Sequence, residues 1–456
     1  MLISIIRFPV MPSFKKGEPV SLNTGKSAII LNEEPLGSGG QGEVYLVSYD
    51  GAEYALKWYT SMKIRTNPDF KENLESNARI ASPNERFAWP VAVTKDYKGS
   101  YGYVMRLLPK ENFEFSDFLR SYKLTKGASP KKIPVRMADF GCLLNSAYQI
   151  VECFMDLHRL GKSYQDLNDG GISMNMSTGD IIICDCDNIA SDGKNFGING
   201  KQGYMAPEII LHQNPPNVYS DRFSLAVILF KLFFRDDPFW GRKVNKCCNL
   251  TDYNYRKYYA EEPVFIFHPT DHSNSPKEGL RANAIRLWKR YPDYIHDLFV
   301  RAFVDGIRDT SKRPLETEWI SALVRLRSEA FTCSCGGFSF VSEEDRRNAS
   351  FTCPRCRASY PLLQLGSTCI PVAKGAVAYK CQLHVASDDH RTVALKVVEN
   401  RHTKGLMGIK NVEDVEWEVR YDDSKKTVRP NDGAEIKPGM KIEFDFKTTG
   451  TVLRSD

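Results

Sequence analysis

At 456 residues the chain is long enough for two or three domains with ordinary cores, and its 42% apolar content is that of a globular protein. The net charge of +6 comes from Lys and Arg interleaved with Asp and Glu, with no basic stripe, which argues against a nucleic-acid partner. No run approaches the roughly 20 apolar residues that span a bilayer, and the opening MLISIIRFPVMP lacks a basic start and a small-residue cleavage site; a cytoplasmic protein with no membrane partner is expected.

In chain order, residues 28–58 alternate apolar and polar positions around a glycine-rich turn, which predicts strand, loop and strand. FKENLESNARI (70–80) has helical spacing with Phe70, Leu74 and Ala78 on one face, and YGYVMRLL (101–108) reads as a strand. CLLNSAYQIVECFMDLHRL (142–160) and SDRFSLAVILFKLFF (220–234) read as buried helices with a loop-rich stretch between them. From Glu329 the character changes to a cysteine segment and then to β signals. There Val415, Trp417, Val419 and Tyr421 alternate, as do Met440, Ile442, Phe444 and Phe446, with Pro438-Gly439 as a turn.

LGSGGQGEVY places Gly37, Gly39 and Gly42 in the spacing G-x-G-x-x-G-x-V, closing on Val44. Glycines let a backbone approach phosphate oxygens and adopt angles that a Cβ forbids. The next segment, EYALKWY, is a strand and not a helix, which argues against a dinucleotide-binding unit. Lys57 lies in that apolar strand, where a cation is costly without an anionic partner. Glycine loop and inward lysine together fit ATP phosphates.

With these residues and those that follow, the chain resembles protein kinases of the eukaryotic-like class. LHRLGKSYQDL (157–167) resembles the catalytic loop, with Asp166 at the base position. CDCDN resembles the metal-binding segment, with Asp185 as the magnesium ligand, and YMAPE (204–208) the Ala-Pro-Glu motif. Asp221 matches the buried Asp of the following core helix, and Arg313 the late Arg expected to pair with Glu208. FAWP (87–90), GYVM and ICDCDN are similar to bacterial kinases found beside von Willebrand-type and phosphatase proteins in tellurite-resistance clusters, which implies such partners. The resemblance implies ATP with Mg2+ or Mn2+, protein Ser or Thr as acceptor, and Lys57 on the α- and β-phosphates. It also implies Val44 and Ala55 over the adenine, Met105 at the back pocket, and the backbone of Arg106 and Leu108 on the adenine edge.

Three departures accompany it. Gln165 replaces the Arg that pairs with a phosphorylated activation loop, and the segment 185–208 holds Ser191 as its hydroxyl candidate apart from Tyr204, so no phosphorylation requirement is expected there. The helix after Lys57 has Asn73 where a Glu partner belongs, with Glu72 and Glu75 beside it; either Glu, or neither, serves Lys57. Gly171 stands where an Asn binds the second metal, and Asn168, Asp169 and Asp187 are nearby substitutes. An active kinase is expected from intact Lys57, Asp166 and Asp185, with a nucleotide-binding scaffold that transfers nothing as the alternative.

Cys333, Cys335, Cys353 and Cys356 form C-x-C-x17-C-x2-C, four of the chain's twelve cysteines. In a chain without an export signal this reads as a structural, tetrahedral Zn2+ ribbon. Beyond it, GIKNVEDVEW resembles a stretch of forkhead-associated domains, which bind phosphothreonine peptides, and SDDH (387–390) has their Ser-x-x-His spacing, but no Gly-Arg pair precedes it; a docking platform or a lid against the kinase lobes is the expected role, with Ser and His as plain turn residues. The expected architecture is α+β: an N-terminal extension (1–27), a bilobal kinase fold (28–108 and 109–328), a zinc ribbon (329–362) and a small all-β, sandwich-like domain (363–456).

Overall fold

The computed structural model describes residues 14–454 apart from 126, 128, 199 and 248, so the reading of the opening MLISIIRFPVMP lies outside the described residues. The chain divides into two compact units, residues 1–277 with 301–316, and 278–300 with 317–456.

The first unit begins with a sheet built from β1 (Pro19–Ser21), β2 (Ser27–Ile30), β3 (Gly37–Ser38), β4 (Gly42–Tyr49), β5 (Ala52–Tyr59), β6 (Ala92–Val93) and β7 (Gly102–Arg106). The order is β1-β2-β4-β5-β7-β6, with β3 paired to β4. Side chains alternate across it: Leu56, Trp58 and Val104 join Phe14, Val20 and Val47 on one face. Ala55, Tyr59, Tyr103 and Met105 join Phe70 and Leu74 of helix α1 (Pro68–Ala78) on the other. Asp50 and Gly51 turn β4 into β5 with positive φ angles of 52° and 81°.

The helical part of this unit follows the expected runs. Helix α2 (Phe140–Arg159) is capped by Asp139, whose carboxylate accepts from the Cys142 amide at 2.8 Å. Helix α3 (Val218–Phe234) starts with a capping box of Asn217 and Ser220 and is apolar all round because Leu225 to Leu229 are buried on every side. β8 (Phe113–Glu114), which precedes α2, joins β9 (Ile172–Met174) and β10 (Ile181–Ile183), which lie between the two helices, in one small sheet ordered β10-β9-β8.

In the second unit, helix α4 (Asp293–Val300) sets Phe299 against Trp319 of α5 (Glu316–Glu329), ring centroids 4.9 Å apart. Two hairpins follow: β11 (Ala330–Thr332) with β12 (Phe338–Phe340), and β13 (Ser350–Thr352) with β14 (Ser359–Leu365). Then come β15 (Thr368–Pro371), β16 (Val377–Tyr379), β17 (Val393–Glu399), β18 (Met407–Asn411), β19 (Trp417–Tyr421), β20 (Ser424–Val428), β21 (Gly433–Glu435), β22 (Lys441–Glu443) and β23 (Thr449–Val452). They form sheets β13-β14-β23-β22-β19-β20, with β15 on β14, and β16-β17-β18-β21. Residues of both sheets, among them Leu363, Val397, Ile409, Trp417 and Ile442, share one apolar core. The expected alternation therefore stands at Trp417, Val419, Met440, Ile442 and Phe444. It fails at Val415 and Phe446, which lie outside the strands and are exposed, Phe446 by 97%.

Candidate active site

Period-2 geometry assembles one wall of the site. In the β4–β5–β7 ladder Val44 pairs with Lys57, Lys57 with Tyr103 and Ala55 with Met105, so all five present one face. A Cβ built on Gly37, Gly39 or Gly40 would meet nothing within 4 Å, so the loop leaves bare backbone facing open space. At Gly42 a Cβ would lie 2.1 Å from the Trp58 carbonyl oxygen; here glycine is demanded by the hairpin itself.

Lys57 is 6% exposed and its Nζ donates to Gln41 Oε1 at 2.8 Å, Asp185 Oδ1 at 3.0 Å and Asp187 Oδ1 at 3.0 Å. Burial works against its charge, but the carboxylates of Asp185 and Asp187 outweigh it and raise its pKa. Asp187 is fully buried and also accepts from the hydroxyls of Tyr59 (2.7 Å) and Tyr103 (3.2 Å). Neither Glu72 nor Glu75 partners Lys57: Glu72 is exposed, and Glu75 lies 3.7 Å from Arg79 on its own helix. The amides of Asn73 and Asn77 instead both donate to the Ile189 carbonyl at 2.8 Å, fastening α1 to the segment after Asp185.

The Asp166 loop is held from beneath. Asp221 accepts from the amides of Tyr164 (2.5 Å) and Gln165 (3.0 Å), where Gln165 adopts a left-handed φ of 74°. His158 bridges Asp221 (3.2 Å) and Glu316 (2.9 Å), and Arg222 reaches Glu316 at 2.8 Å. Burial disfavours the His158 cation, but its two carboxylate partners prevail and raise its pKa to about 9. Burial lifts Asp166 to about 6, opposed by the Asn168 amide 3.0 Å from its Oδ1 and reinforced by the charge of Asp185.

The proposed stand-ins at Gly171 are engaged elsewhere. Asn168 Oδ1 accepts from the Gly170 amide at 2.9 Å, Asp169 pairs with Lys201 at 2.5 Å, and Asp187 is turned inward to Lys57. Gly171 has a steric cause: a Cβ there would sit 2.8 Å from the hydroxyl of Tyr164, which is fully buried and donates to the Cys184 carbonyl.

A cleft of about 650 Å³ collects Gly37, Gly39, Gly42, Val44, Ala55, Lys57, Met105, Leu108, Asp166 and Asp185. Arg106 does not line it; its side chain donates to the Glu85 carbonyl. The cleft also holds Asn112, outside every motif, and Asn188, the last residue of CDCDN. Asn112 donates to Ser173 on β9 at 3.1 Å, and Asn188 accepts from Gln41 at 3.3 Å. Residues 30–277, more than half of the chain, match the protein kinase domain family.

The chain belongs to the protein kinase family.

It is similar to the probable serine/threonine-protein kinase C70.05c of Schizosaccharomyces pombe, at 30% identity over 130 residues, 26% of this chain; the chain spans 16% of that curated relative's length. Among solved structures it is similar to the kinase domain of Mycobacterium tuberculosis PknI at 17% identity and TM-score 0.42. That match covers 68% of this chain and 98% of the other. A double mutant of the same domain matches at 16% identity and TM-score 0.43, with the same coverage. In this kinase domain the Ala-Pro-Glu glutamate, Glu208, forms the expected bidentate pair with buried Arg313 at 2.7 and 2.8 Å. Gln165, in place of the loop arginine, donates to the Lys194 carbonyl of the 185–208 segment by a neutral hydrogen bond.

Beyond the kinase domain, the thiols of Cys333, Cys335, Cys353 and Cys356 all lie within 4.8 Å of one another. The sulfur separations of 3.6 Å for Cys333–Cys356 and Cys335–Cys353 are too long for disulfides. A Cβ at Gly337 would fall 2.9 Å from the Cys353 sulfur, so the first turn needs glycine to bring the pairs together. In SDDH, Ser387 Oγ accepts from the Asp389 amide at 3.2 Å and Asp389 from those of Arg391 and Thr392; Arg327 donates to the His390 carbonyl at 2.6 Å. Among the described residues no helix is long and apolar enough to cross a membrane.

Proposed function

We propose that the chain is an ATP-dependent kinase that transfers the γ-phosphate to Ser or Thr hydroxyls of a protein, using Asp166, Lys57 and Asp185. The supporting observation is their convergence with the bare-backbone glycine loop in one cleft. Val44 and Ala55 cover the adenine, Met105 closes the back pocket, and the backbone of Leu108 reads the base edge. Lys57 holds the α- and β-phosphates. Asp166 orients the acceptor hydroxyl; its oxygen attacks the γ-phosphorus, the bond to the β-phosphate oxygen breaks, and the proton passes to Asp166 as ADP leaves. Asp185, whose side chain is 46% exposed beside Lys57, fits a divalent cation, Mg2+ or Mn2+, which supplies charge neutralisation to the phosphates. The Ser/Thr assignment leans on the fission-yeast relative's name.

In this reading 28–328 are the kinase lobes, 329–362 a ribbon closed by structural Zn2+ on the four thiols, and 363–456 a β domain for docking. Partners of von Willebrand and phosphatase type follow from the sequence resemblance to tellurite-linked bacterial kinases. The neutral Gln165 contact supports activity without phosphorylation in 185–208. The deciding experiment is Mg2+-dependent transfer of labelled γ-phosphate to casein and to the protein itself, beside Asp166→Ala and Asp185→Ala. Transfer that both substitutions abolish is expected. ATP binding without transfer to any acceptor would replace the reading with a nucleotide-binding scaffold.

A further inference from the structure

We propose that Asp187 is the positioning residue that aims Lys57 at the nucleotide, so that the lysine is set by the segment carrying the metal carboxylate and not by helix α1. The inference rests on the phosphotransfer reading above and concerns how its lysine is held.

A buried ammonium needs a buried counter-charge. Asp185 cannot be that charge throughout turnover, because its half-exposed carboxylate faces the cleft and is the group offered to a divalent cation. Asp187 can. Its Oδ1 takes Lys57 at 3.0 Å and Tyr103 at 3.2 Å, and its Oδ2 takes Tyr59 at 2.7 Å and Lys57 at 2.9 Å. Tyr59 lies two residues beyond Lys57 on β5, and Tyr103 sits opposite Lys57 in the ladder. Both hydroxyls therefore come from the sheet face that carries the lysine, and together with it they hold both carboxylate oxygens.

The two acids are separated by one residue. A left-handed φ of 48° at Asp185, followed by a tight turn over Cys186–Asn188, sends one carboxylate to the cleft and the other inward. Lys57 is gripped between them. Helix α1 brings amides to this segment at Asn73 and Asn77 and brings no charge to Lys57.

The test is a double-mutant cycle of Asp187→Asn and Lys57→Met, read as kcat/KM for ATP and as ATP affinity by calorimetry without divalent cation. Asp187→Asn should lower kcat/KM by roughly 10- to 100-fold and weaken metal-free ATP binding. In the Lys57→Met background it should do neither, because it acts through the lysine. Glu72→Gln and Glu75→Gln should leave both readouts unchanged. Should Asp187→Asn fail to fold, Tyr59→Phe with Tyr103→Phe releases the carboxylate without removing it, and a smaller loss that vanishes beside Lys57→Met is expected. Losses that multiply in the double variant, or an Asp187→Asn enzyme equal to wild type, would overturn the proposal while leaving kinase activity standing. A wild type that binds no ATP would instead overturn the phosphotransfer reading itself.

Discussion

The Lys57 cluster and the four-thiol cluster both gather polar side chains in tight space, and they balance charge by different means. Around Lys57 the chain supplies the partners: two carboxylates and an amide oxygen accept from the ammonium, and two tyrosine hydroxyls donate to the buried carboxylate of Asp187. The same self-sufficiency recurs at Arg313–Glu208 and at His158 between Asp221 and Glu316. At Cys333, Cys335, Cys353 and Cys356 four sulfurs face one another with no cation among the described residues of the cluster. A site that neutralises itself persists through a ligand cycle. On the proposed reading, a site made of like donors is completed by the Zn2+ it binds.

The sharpest way to break this contrast is to remove metal. Chelation, or Cys353→Ser, should unfold the 329–362 segment, with on the order of 10 kcal/mol of metal-linked folding free energy at stake. Cysteine accessibility to a thiol reagent, measured beside zinc content, should rise sharply, while kinase-domain melting should be insensitive to the chelator. On the self-neutralised side, Arg313→Met leaves Glu208 buried and unpaired and should cost about 3–5 kcal/mol in denaturant unfolding. Glu208→Gln with Arg313→Met should recover part of that loss.

The His158 bridge gives a pH signature. The folded pKa of about 9 exceeds the unfolded value near 6.5, so its stabilisation is complete below about pH 6.5 and fades as pH rises through 9. About 3 kcal/mol of stability should be lost across that window. His158→Gln should flatten the unfolding free energy against pH there. The smallest effect belongs to packing: Gly171→Asn should destabilise by about 1–3 kcal/mol by forcing the Tyr164 ring aside. The same substitution in a Tyr164→Phe background should cost less, as equilibrium unfolding will show.

Much of the kinase domain was legible because its parts carry distinctive residue types at fixed spacing. The glycine loop, the strand lysine, Asp166, Asp185 and the Glu208–Arg313 pair each announced themselves. The partner of Lys57 did not. CDCDN offers two acids one residue apart, and only a left-handed turn at Asp185 decides that Asp187 goes inward. Helix spacing points to Glu72 and Glu75, which α1 presents elsewhere. The cause of Gly171 was equally hidden, since the atom that crowds it belongs to Tyr164, seven residues earlier. Phe446 misled because alternation continues past the last residue of β22 into a turn.

The crowding between Tyr164 and Gly171 also favours an order of change. An asparagine at 171 has to force the phenol aside, whereas loss of the hydroxyl at 164 removes the atom that crowds it and leaves glycine undisturbed. A mutational path that places an asparagine at 171 is therefore less costly when it passes through 164 first. A selection for tighter metal binding that randomises both codons should return double replacements more often than single changes at 171.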